Sequence, residues 1–108
     1  MTSNPVILVT GANTGLGFEI VKSLSQSPKA YTILLGGRSI DKAEAAAKQA
    51  QSLFPNSPSV ITTIQVDIED DTSISQAFKV VSENYGRLDV LINNAGECSR
   101  YLYISILE

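Results

Sequence analysis

Apolar positions along this chain follow two periods, one suited to strands and one to helices. Val6-Ile7-Leu8-Val9 is an unbroken apolar run, too short for a helix and right for a strand buried on both faces. A glycine-rich turn follows. Phe18, Ile20, Val21 and Leu24 then fall near helical spacing through about Ser25, and Pro28 marks the end of that helix. Tyr31 to Leu35 predicts a second strand running into Gly36-Gly37. Ala43 to Leu53 is alanine-rich and favours helix, with Asp41 and Glu44 spaced like a capping box at its start. Beyond the loop Pro55-Asn56-Ser57-Pro58, Val60 to Val66 predicts a third strand, with Asp67 at its carboxyl end. Ile74, Ala77, Phe78, Val81 and Tyr85 then form an amphipathic helical stripe. Glu69, Asp70 and Asp71 suit its positive N-terminal end, and Gly86 stops it. Leu88 to Asn93 is a fourth buried strand.

This β-α-β-α-β-α-β order predicts an α/β fold, a parallel sheet with right-handed crossovers and helices on both faces. With 108 residues there is room for one small domain. No apolar run is long enough for a membrane span, and Met1-Thr2-Ser3-Asn4-Pro5 lacks the order of a signal peptide. A cytoplasmic setting is therefore expected. Eight basic against eleven acidic residues leave a net charge of −3, which argues against a nucleic-acid partner. The chain has no histidine and one cysteine, Cys98. That excludes Ser-His-Asp hydrolysis, an internal disulfide and a multi-cysteine zinc site. No metal site is expected.

The chemistry that remains sits where the first strand meets the first helix, in Thr10-Gly11-Ala12-Asn13-Thr14-Gly15-Leu16-Gly17. Gly11 permits a tight turn, Gly15 lets a pyrophosphate approach the backbone, and Gly17 allows close packing of helix on strand. The helix N-terminus offers free N–H groups and a positive dipole end to phosphates. No Gly-Lys-Ser/Thr follows, so a P-loop is excluded.

Thr10 to Gly17 resembles the TGxxxGxG signature of the short-chain dehydrogenase/reductases, and Asn93-Asn94-Ala95-Gly96 matches that family's NNAG motif at the end of the fourth strand. The resemblance covers about residues 5–96, with carbonyl-reductase-like and retinol-dehydrogenase-like members closest. It implies a Rossmann-type doubly wound sheet of order 3-2-1-4, truncated after the fourth strand. It also implies that Thr10, Gly11, Asn13, Thr14, Gly15, Leu16 and Gly17 bind a nicotinamide dinucleotide. Asp67 would accept a hydrogen bond from the adenine amino group, and Ile68 would wall the adenine pocket. Asn93 would brace the sheet, while Asn94, Ala95 and Gly96 would line the nicotinamide ribose region. An NAD enzyme places an acid at the end of the second strand to hold the ribose 2′-hydroxyl. Here Gly37 takes that place and Arg38-Ser39 follow, a pair suited to a 2′-phosphate, so NADP(H) is expected over NAD.

The family's hydride transfer uses a Tyr-x-x-x-Lys pair with an upstream Ser. Four residues after Tyr101 stands Ser105, and four after Tyr103 stands Leu107, so no catalytic residue is assigned. Residues 1–96 read as a cofactor-binding half-domain and 97–108 as a divergent tail. The expected function is the NADP(H)-binding N-terminal portion of a carbonyl or alcohol oxidoreductase, inactive alone. The alternatives are a non-catalytic nucleotide-binding module and an unstable fragment. An uncovered fourth-strand edge would invite self-association, unless Tyr101–Leu107 folds back as an antiparallel hairpin.

Overall fold

The computed structural model describes residues 4–13 and 15–94, and the backbone of 103–106. Its elements are β1 (Val6–Thr10), α1 (Gly15–Gln26), β2 (Thr32–Gly37), α2 (Ile40–Leu53), β3 (Val60–Gln65), α3 (Asp71–Tyr85), β4 (Val90–Asn93) and β5 (Tyr103–Ile106). The sheet order is β3-β2-β1-β4-β5, so the expected parallel 3-2-1-4 arrangement is present and a fifth strand is added to it. That strand runs antiparallel to β4, with Asn93 opposite Tyr103 and Val90 opposite Ile106. The β4 edge on which self-association was expected is therefore covered, by the predicted hairpin pairing.

The strands alternate between two cores, as a strand buried on both faces must. Ile7, Val9, Ile33, Leu35 and Ile92 face α1 and α2. Val6, Leu8, Leu34, Ile64 and Val66 face α3. Helices thus cover both faces, and β1 and β2 are buried throughout. On α2 the buried row is Ala43, Ala46, Ala47 and Ala50, whose small side chains let the helix lie close to the sheet. On α3 the buried residues are Ala77 and Val81, and Phe78, at the border of the predicted stripe, is 36% exposed.

Several boundaries shift by one or two residues, with β2 running on through Gly37 and β4 starting at Val90, and the start of α2 differs in its cap. The capping box on Asp41 and Glu44 is not formed, because α2 starts earlier, at Ile40. Ser39 is the N-cap, in an extended conformation, and its side chain accepts a hydrogen bond from the Lys42 amide at 3.4 Å. Asp41 falls inside the first turn, where its charge favours the helix dipole. For α3 the acids act as predicted: the Asp70 side chain caps the helix through the Thr72 amide, and Gly86, at φ 75°, closes its end.

A polar clasp ties the start of β1 to the approach to β4. Asp89 Oδ2 accepts from the Val6 amide at 2.7 Å and from Arg87 Nε at 2.8 Å, while Arg87 Nη2 donates to the Asn4 carbonyl at 2.9 Å. The Val6 amide first, and the Arg87 guanidinium next, hold the Asp89 carboxyl below its ordinary pKa of 3.8. A depressed carboxylate stabilises the fold fully above its unfolded pKa and loses that contribution as pH falls through the folded value. Asp89→Asn should therefore cost about 1 kcal/mol at neutral pH, discounted because the pair is partly solvated. The cost should fade as pH falls below about 5. Urea midpoints of wild type and variant measured down to pH 2.5 would check this. Curves that stay parallel would refute it.

Candidate functional site

The carboxyl ends of β1, β2 and β4 meet at one rim of the sheet, where the register sets Thr10 beside Asn93 and Gly36 beside Ile64. The glycine turn leaves β1 there, with Gly11 at φ 59° and Gly15 at φ 62°. Three hydrogen bonds stitch it to β4. The Thr10 hydroxyl donates to Asn93 Oδ1 at 2.8 Å and accepts from the Asn94 amide at 3.0 Å, and Asn94 Nδ2 donates to the Gly11 carbonyl at 3.4 Å. On the other side the Ala12 amide donates to the Gly36 carbonyl at 2.9 Å, fixing the turn against β2.

This framework explains two glycines by different causes. A Cβ on Gly17 would lie 2.4 Å from the Gly11 carbonyl oxygen, 2.7 Å from Asn94 Nδ2 and 2.9 Å from Ala12 Cα. Gly17 is what lets α1 start this close to the turn. Around Gly15 a Cβ would meet no atom of the described residues within 4 Å, so among them that side of the turn is open. It opens at the start of a helix with no acid in its first turn, whereas α2 carries Asp41 and α3 carries Asp71 there. The positive end of α1 is thus not offset by an acid in its own first turn.

The remaining site residues divide by location. Thr10 is buried, and its hydroxyl serves the framework. Asn94 is buried as well, and its Oδ1 has no hydrogen-bond partner among the described residues. Asn13 projects from the turn over the end of β2, its Oδ1 3.2 Å from where a Cβ on Gly37 would sit. Arg38 is exposed and forms no ion pair among the described residues, and its carbonyl accepts from Gln65 Nε2 at 3.0 Å. Ser39 caps α2 beside it. Asp67 follows β3 and makes a local turn, one carboxylate oxygen accepting from the Glu69 amide at 3.0 Å. Its own amide donates to Ser73 Oγ at 2.9 Å. Ile68 packs, partly buried, on the α3-side core. Leu16 is 47% exposed and lines a shallow groove of about 280 Å³ with Glu19, Ile20, Ser23, Leu24, Ser27 and Tyr31. Thr14, Ala95 and Gly96 lie outside the described residues, as do Cys98 and Tyr101.

Sequence reasoning had no view of Asn94 as a buttress of the turn or of Asn13 standing over Gly37. The first had a usable signal: once Thr10 and Asn93 end neighbouring parallel strands, Asn94 follows beside the turn that leaves Thr10. Among the described residues no group of acids, histidines or cysteines could hold a metal, and no helix is long and apolar enough to cross a membrane.

A parallel sheet of this order, with a glycine turn feeding the N-terminus of α1, is a Rossmann-type dinucleotide-binding arrangement. The family model for short chain dehydrogenases matches residues 5–103, and the chain belongs to that family. A short-chain dehydrogenase/reductase of Phoma sp is 49% identical over 92 residues, which cover 84% of this chain and 33% of that protein. Among solved structures, menthone neomenthol reductase from Mentha piperita superposes with a TM-score of 0.77 at 30% identity, covering 88% of this chain and 32% of the other. The N-domain of a bacterial malonyl-CoA reductase, solved with NADP, gives 0.77 at 33% identity, covering 86% and 17%. The chain spans about a third of the length of the curated relatives it matches.

Proposed function

We propose that this chain is the NADP(H)-holding portion of a carbonyl or alcohol oxidoreductase. The turn at Gly11 to Gly17 receives the pyrophosphate at the open side of Gly15. Asn13 and Thr14 add side-chain hydrogen bonds, and Asp67 and Ile68 form the adenine end. Asn94, Ala95 and Gly96 border the nicotinamide ribose. The bound coenzyme supplies the hydride chemistry. These 108 residues contain no tyrosine followed four positions later by lysine, so the segment binds coenzyme and does not turn over by itself.

One observation carries the choice of NADP(H): β2 ends on a glycine, and the next residue is an exposed arginine without an acid partner among the described residues. A carboxylate at that place would hold a 2′-hydroxyl and repel a 2′-phosphate, whereas a free guanidinium attracts the phosphate. The NADP-bound malonyl-CoA reductase domain supports the same reading. Calorimetric titration of the purified chain tests it. NADPH should bind about tenfold or more tightly than NADH, a gap equivalent to one charge-assisted hydrogen bond. Arg38→Ala should remove most of that gap while leaving NADH affinity nearly unchanged. Equal affinities in the wild type would overturn the assignment.

A further inference from the structure

Gly37 is a glycine that the backbone does not require. Its φ lies outside the left-handed region, unlike that of Gly11, Gly15 or Gly86. Nor is main chain in the way, as it is at Gly17, or at Gly36, where a Cβ would lie 3.0 Å from the Val9 carbonyl oxygen. What a Cβ on Gly37 would meet is the Asn13 side chain, Oδ1 at 3.2 Å and Cγ at 3.8 Å, with Ala43 Cβ at an ordinary 3.7 Å. The backbone that carries Asn13 is fixed there, because the Ala12 amide bonds to the Gly36 carbonyl and seats the turn on the end of β2.

We propose that Asn13 is a specificity-determining residue: standing over Gly37, it closes the place from which an acid would grip a ribose 2′-hydroxyl, and so leaves the 2′-position to Arg38. This rests on the NADP(H) reading and extends it to the residue that enforces it. The physical ground is steric. A Cβ at position 37 pushes on Asn13 by a few tenths of an ångström, and a carboxylate beyond it must enter the space that the Asn13 amide fills. The acid that would convert the site to NAD use is thus opposed by a residue on a different element, 24 positions earlier in the chain.

The test is a double-mutant cycle on the whole chain, read in two ways. In titrations with NADPH and NADH, Gly37→Asp alone should weaken NADPH by about tenfold or more and leave NADH within about threefold of wild type. In the Asn13→Ala background, by contrast, Gly37→Asp should raise NADH affinity about tenfold over Asn13→Ala alone. In thermal melts without nucleotide, Gly37→Ala should lower the midpoint in the wild-type background and much less in the Asn13→Ala background. If Gly37→Asp gains NADH affinity equally with and without Asn13, the proposal is overturned even where wild type prefers NADPH. Equal melting shifts for Gly37→Ala in both backgrounds overturn the steric contact on which it stands. A wild type without preference for NADPH instead removes the NADP(H) reading, and the specificity role with it, whatever the melts show.

Discussion

Replacing Gly17 by alanine should lower the stability of the fold by about 3 kcal/mol, the upper end of what overpacking costs, because the atoms a Cβ would strike are chiefly main chain. A Cβ 2.4 Å from the Gly11 carbonyl oxygen and 2.9 Å from Ala12 Cα cannot be accommodated by a rotamer change. Either α1 moves away from β1 or the turn is pushed off its bonds to Asn94 and Gly36. For a domain of this size, whose whole stability is of the order of 5–15 kcal/mol, that is a large fraction. It should appear as a fall of about 15 °C in the melting midpoint. NADPH binding should be lost with it, since both responses displace the N–H groups at the start of α1. Gly15→Ala is the contrasting case. A Cβ there meets none of the described residues, and what opposes it is the left-handed φ of 62°, a cost of about 1 kcal/mol. The two alanines should therefore separate by roughly 10 °C. Equal melting points would mean that the close contact of α1 with the turn is not made.

How much of this was legible in the residues depends on whether the cause was local. Val6–Val9 announces itself because a strand buried on both faces must be apolar at every position, and Val90–Ile92 gives a shorter version of the same signal, in a strand that starts at Val90 rather than Leu88. The stop at Gly86 is equally local, since a left-handed C-cap selects glycine. Strand order came from the resemblance of two motifs to a known family, not from periodicity. The start of α2 was misjudged because Ser39 follows Arg38 in what looks like a phosphate loop. Its hydroxyl reaches forward to Lys42, which makes it the cap. The Asp89 clasp stayed hidden for a different reason. Arg87-Leu88-Asp89 is readable as charge, yet its main partner is the backbone amide of Val6, 83 residues away, and a backbone amide leaves no mark in a sequence. The contact of Asn13 with Gly37 belongs to the same class. It follows from how the turn leaves β1, and glycine spacing specifies that only coarsely.

The Thr10 hydroxyl offers the second large effect, because it answers two strand-end groups at once. Thr10→Val keeps the shape and removes the oxygen, so Asn93 Oδ1 loses its donor and the Asn94 amide loses its acceptor where Asn94 is buried. Leaving such groups unmade costs about 1–3 kcal/mol each when buried, and Asn93 is only partly so, which gives about 2–3 kcal/mol in all. Thr10→Ser keeps the oxygen and loses one methyl, about 1 kcal/mol. Loss of hydrogen bonding, as opposed to packing, therefore predicts the order wild type, serine, valine. Packing alone predicts valine above serine. Because Asn94 also donates to the Gly11 carbonyl, loosening it should reach the turn and weaken NADPH in the valine variant more than in the serine variant. Combining Thr10→Val with Asn93→Ala removes one of the abandoned groups, so the double variant should be more stable than the sum of the single losses allows, by about 1 kcal/mol. Urea denaturation of the four proteins measures that difference. Strict additivity would show that the bond from β1 to Asn93 contributes nothing, and that the turn is held on the sheet by Gly36 and Asn94 instead.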